Sequence, residues 1–101
     1  MAYKTKILPV AYKDLLKTHE WYNNQKDFLG DEFKQAVNAE IKNISVNPEH
    51  YQLHFKEIRQ AVVKRFPYVI FFLCNENIQQ VVIFGILHTK RNPKIITGRI
   101  K

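Results

Sequence analysis

Residues 66–88 read FPYVIFFLCNENIQQVVIFGILH, and this stretch decides the fold. Two apolar runs, Val69–Cys74 and Val81–Leu87, flank a short polar segment. Both are rich in β-branched and aromatic residues, which favour strands. Asn75-Glu76-Asn77 reads as the turn between them, because Asn tolerates the left-handed backbone that hairpins need. The pattern predicts strands over Tyr68–Cys74 and Ile78–His88. Pro67 separates the first of these from a further strand expected over Ile58–Phe66.

Working back toward the N-terminus, Phe33, Val37, Ile41 and Ile44 recur at helical spacing until Asn47-Pro48 stops them. Asp31 is the expected cap of that helix. Ala11, Leu15, His19 and Tyr22 share one face of an earlier helix, over about residues 10–25, with Pro9 at its start. The short connection makes the two an antiparallel hairpin. Tyr3–Leu8 reads as a first strand. The expected order is β-α-α-β-β-β: an α+β, two-layer fold with a helical hairpin on an antiparallel sheet, forming one domain over residues 1–101.

An antiparallel sheet covered on one face alternates apolar and polar residues. These strands do not. Tyr68, Ile70 and Phe72 point one way, and Val69, Phe71 and Leu73 point the other. Two helices cover only one face. The other is expected to bind a protein partner, unless a terminal segment or a second copy of the chain covers it.

Hydrophobic residues make up 46% of the 101, enough for a core without metal or disulfide staples. A domain of this size buries roughly 60–65% of its unfolded surface. Cys74 is the only cysteine, so no intrachain disulfide forms, which points to a reducing, cytoplasmic setting. The apolar runs fall far short of the roughly 20 residues that span a bilayer. Residues 1–50 hold seven Lys and seven acidic residues, so that half is neutral. Residues 51–101 hold nine Lys and Arg against Glu57 and Glu76, so the whole net charge of +7 sits in the second half. A one-sided basic surface attracts nucleic acid or an acidic protein.

Arg59, Val63, the segment Phe66-Pro67-Tyr68-Val69-Ile70, and a strand running on to His88-Thr89-Lys90-Arg91-Asn92-Pro93 together resemble the C-terminal half of the RelE/ParE toxin family. Ala11, Asp14, Trp21-Tyr22 and Pro48 extend the resemblance over nearly the whole chain. It implies a toxin of a type II toxin–antitoxin system, neutralised by a cognate antitoxin that wraps it, with a homodimer or a toxin–antitoxin hetero-oligomer as the expected assembly. Two activities occur on this fold: one branch cuts mRNA on the ribosome, and the ParE branch poisons DNA gyrase. Fold does not choose between them.

Metal-independent RNA cleavage needs a base for the 2′-hydroxyl, cations for the phosphorane and an acid for the leaving oxygen. Arg59, Lys64, Arg65, His88 and Arg91 are the candidates for those roles. Each also has a plainer reading. His88 also reads as a strand end bonded to a loop, Arg59 as a partner of Glu57 or Glu76, and Lys64-Arg65 as guards of a sheet edge. The ribosome-dependent branch commonly carries a functional tyrosine near its C-terminus, and no Tyr follows Tyr68 here. That departure favours a ParE-like gyrase poison, with the ribosome-dependent endoribonuclease as the alternative. His19, His50 and His54 lack metal-ligand spacing, and no Gly-rich phosphate loop is present, so no metal or cofactor is expected.

Overall fold

The computed structural model describes residues 2–99. A short first strand, β1 (Lys4–Ile7), leads into the helices α1 (Pro9–Gln25) and α2 (Leu29–Val46). A 3₁₀ turn at Pro48–His50 follows, then β2 (Gln52–Phe55), β3 (Ile58–Val62), β4 (Tyr68–Asn75), β5 (Gln80–His88) and a last helix, α3 (Lys94–Arg99). The five strands form one sheet in the order β1-β5-β4-β3-β2. The α+β, two-layer arrangement with a helical hairpin on the sheet is the one the sequence predicts.

Besides the added helix α3, three details depart from expectation, and two share a cause. The sheet is mixed, because β1 runs parallel to β5 while every other pair is antiparallel. The strand β2 was not anticipated. Each connection reverses the chain once, so one extra strand inverts the sense in which β5 arrives beside β1. Without β2 the same connections would give a wholly antiparallel sheet. Its signal is faint: four residues, two of them polar, an irregular register between Leu53 and Phe55, and a turn at Lys56 with φ 51° but no Gly or Asn.

The third departure is the start of α2. Asp31 does not cap it. The cap position is Phe28, at φ 67°, and Asp31 lies in the first turn, where its Oδ1 sits 2.7 Å from His19 Nε2 on α1. His19 therefore lies at the helix–helix seam. Asn23 Oδ1 accepts the Gly30 amide hydrogen at 2.7 Å, and a Cβ on Gly30 would strike the His19 carbonyl oxygen. The hairpin closes this tightly because residue 30 has no side chain.

The main core lies between hairpin and sheet. Phe33, Val37, Ile41 and Ile44 are all buried there, against Ala11, Leu15, Ile70, Phe72, Val81 and Ile83. Tyr22, Phe33, Phe66 and Tyr68 form an aromatic group with ring centroids 5.0 to 6.1 Å apart, the spacing of edge and tilted contacts. Trp21, the neighbour of Tyr22, is exposed.

The second face of the sheet is not bare. Ile58, Phe71 and Leu87 pack under Ile96 of α3, with Val69, Leu73, Phe84 and Ile95 half-buried around them. The chain's own C-terminal segment thus covers part of the surface expected to await a partner. Asn92 Oδ1 accepts the Lys94 amide hydrogen at 2.9 Å and starts the helix. Arg99 fastens its end, donating to both carboxylate oxygens of Asp14 (2.7 and 3.2 Å) and to the Phe84 carbonyl (3.1 Å). Asp14 also accepts the Ile86 amide hydrogen at 3.1 Å. The register slips at this point of β5, and a Cβ on Gly85 would come within 2.6 Å of Ile96 and 2.7 Å of Arg99. Glycine here admits the helix.

Candidate functional site

Four of the five candidate residues lie at one end of the sheet, where β3 passes into β4 and β5 ends, with Lys64 and Arg65 beside α2 and Arg91 over the second face. Strand pairing forces this: Tyr68, the first residue of β4, lies opposite His88, the last of β5. The Thr89 amide then donates to the Pro67 carbonyl at 2.9 Å, tying the two connections together. Lys64 and Arg65 lie on one connection, Arg91 on the other, all exposed.

Local bonds already engage several of these groups. Arg65 takes a left-handed backbone (φ 70°), donates to Glu32 at 2.8 Å, and holds its guanidinium 5.6 Å from the Phe66 ring centre. The His88 ring stands edge-on to Tyr68 at 5.2 Å, and its Nδ1 accepts the Lys90 amide hydrogen at 3.0 Å. A neutral imidazole accepting at Nδ1 carries its proton on Nε2. In this arrangement His88 ends the strand and accepts a hydrogen bond from the loop that follows it.

Arg59 lies apart from the other four. It pairs with Phe72, four residues along β4 from Tyr68, so roughly 13 Å separates the two positions. Its guanidinium donates to the Tyr51 carbonyl at 2.6 Å and to the Glu49 carbonyl at 3.2 Å. It clamps the 3₁₀ turn to the sheet through main-chain oxygens, and neither Glu57 nor Glu76 is its hydrogen-bond partner.

Other functional-looking groups have structural partners. Glu40 is buried on the core face of α2, where the period that places Phe33, Val37 and Ile44 also puts residue 40. It accepts the Tyr51 hydroxyl at 2.7 Å. Burial first, and Glu40 second, push the Tyr51 phenol well above the ordinary tyrosine range. His54 packs against Phe71 at 5.0 Å. Among the described residues, no three His, Cys, Asp or Glu side chains converge as a metal site, and no helix is long and apolar enough to cross a membrane.

Comparison with solved structures places this arrangement. The chromosomal ParDE toxin–antitoxin system from P. aeruginosa superposes with a TM-score of 0.73 at 14% identity, covering 86% of this chain and 96% of that one. An E. coli RelE toxin, an arginine-to-alanine double mutant in the free state, gives 0.72 at 13% identity over 98% and 94% of the two chains. The RelBE2 toxin–antitoxin complex from Mycobacterium tuberculosis gives 0.63 at 16% identity over 87% and 99%. These likenesses carry the fold. A search of curated proteins by sequence finds no match. Residues 6–93 match the family described as the ParE toxin of the type II toxin–antitoxin system, parDE. With most of its length inside that match, the chain belongs to the ParE toxin family of type II toxin–antitoxin systems.

Proposed function

We infer that this toxin acts by binding rather than by cutting, with DNA gyrase as its target and a cognate antitoxin as its inhibitor in the cytoplasm. The observation that carries the reading is the state of His88. Its Nδ1 is occupied by the Lys90 amide, and Arg59 is bonded to carbonyls at the far end of the strand. A nuclease would need a free base and the cations around one scissile phosphate. The missing tyrosine beyond Tyr68 points the same way. Two of the similar structures contain toxin–antitoxin pairs, which supports an antitoxin partner here.

The ribosome-dependent endoribonuclease is the second reading, favoured by the placement of Lys64, Arg65, His88 and Arg91 at the same end of the sheet. Purified toxin tested on both targets separates them. A gyrase poison traps gyrase–DNA cleavage complexes, leaves ribosome-bound mRNA intact, and tolerates His88→Ala. Codon-dependent mRNA cuts that His88→Ala or Arg59→Ala lowers by roughly two to four orders of magnitude establish the second reading instead.

A further inference from the structure

The second sheet face holds a recess whose lining includes His88 and Arg91 of the candidate set. Phe71 and Leu87, 5% and 4% exposed, form its floor beside half-buried Val69. His54 stands against Phe71, Gln60 flanks it, and the turn bearing Arg91 and Pro93 makes the opposite rim. No residue of α3 lines it, so the C-terminal helix leaves it open. Its volume is about 140 Å³. Small-molecule sites usually measure about 300–1,000 Å³. This one has room for a single side chain.

The charge around it has one sign. No Asp or Glu lines the recess, Arg91 is on its rim, and Lys90 and Lys94 lie beside Arg91 along the chain. We propose that the recess seats one apolar side chain of an acidic segment of the antitoxin, which Arg91 on the rim holds in register. The proposal rests on the toxin reading above. A central apolar anchor with a charged surround is how protein interfaces concentrate their binding energy and set their orientation. Single-stranded RNA is the poorer fit. Base stacking needs a free aromatic face, and Phe71 has almost none: it is buried and its ring already meets the His54 imidazole.

The test titrates the purified product of the adjacent reading frame into wild-type toxin, Gln60→Trp and Arg91→Glu. Gln60→Trp fills the recess from its half-exposed flank and weakens binding by about 30-fold or more, the effect of losing a buried anchor. Arg91→Glu, on an exposed turn, gives a smaller loss that fades as salt is added. A folded Gln60→Trp that binds within about twofold of wild type overturns the proposal. If that variant does not fold, unchanged low-salt affinity in Arg91→Glu overturns it. Crosslinking to an RNA oligonucleotide that Gln60→Trp abolishes, with antitoxin affinity intact, gives the recess to nucleic acid and also overturns it. Wild-type toxin that binds no adjacent product sinks the toxin–antitoxin reading itself, a failure distinct from either variant's.

Discussion

Arg99 on the last helix grips Asp14 on the first, joining the two sides of the sheet through a carboxylate 16% exposed and a guanidinium 17% exposed. Asp14 simultaneously accepts the Ile86 amide hydrogen, so one side chain serves three elements.

Removing Asp14 therefore costs more than removing its partner. Asp14→Ala leaves the guanidinium only the Phe84 carbonyl and the Ile86 amide without its carboxylate, and lowers stability by about 2–4 kcal/mol. Arg99→Ala leaves Asp14 its backbone bond and costs about 1–3 kcal/mol. Urea denaturation of both variants checks this, and equal or negligible losses contradict the three-way bond.

Ile41→Ala opens a void under the hairpin and costs about 2–5 kcal/mol. Val46→Ala on the exposed side of the same helix changes stability by less than about 0.5 kcal/mol. A reversed order would mean that the helix face is wrong.

Tyr51→Phe leaves the buried Glu40 carboxylate without its donor and costs about 1–3 kcal/mol. Adding Glu40→Gln removes the buried charge and recovers part of the loss. Additive losses in this double-mutant cycle would show that the pair does not act as a unit.

The Asp31 carboxyl lies below its ordinary range, chiefly because His19 is hydrogen-bonded to it. A carboxyl depressed in the folded state adds stability above its unfolded value, and that contribution disappears as pH falls through the folded value. His19→Phe should move the Asp31 NMR titration midpoint upward and flatten the acid limb of the stability profile. An unmoved midpoint removes His19 as the cause.

Charge reversal at Arg91 and Lys94 should weaken target inhibition, most at low salt, where attraction between separated charges is least screened. A salt-independent effect would assign these residues to contact rather than steering.

The helices and central strands were legible because their side chains repeat with the period of the element: Phe33, Val37, Ile41 and Ile44 in α2, and the two-sided run from Tyr68 to Cys74. What escaped lacks periodicity. β2 spans only four residues, and Lys56 and Phe28 take left-handed backbone without the residue types that advertise it. α3 is six residues long, and its place is fixed by Ile96 under the sheet and Arg99 on Asp14, contacts that span up to 85 residues of sequence. The candidate cations were found as a set, but the separation of Arg59 from His88 depends on strand register. The reading of His88 as a strand end bonded to its loop was legible, whereas the recess over Phe71 leaves no mark in local sequence.

The parallel pairing of β1 with β5 also sets an order of assembly. β3, β4 and β5 are joined by short connections and can zip as neighbours, whereas Lys4 meets Gln80 only across 76 positions of chain. Contacts of such long range pay loop-closure entropy before they return any stability, so they form late. During synthesis the first strand emerges earliest and waits longest, since its docking groove does not exist until β5 has left the ribosome. The strand made first cannot pair until the partner strand 76 positions later has been made, and the edge of β5 that it covers is unpaired until then.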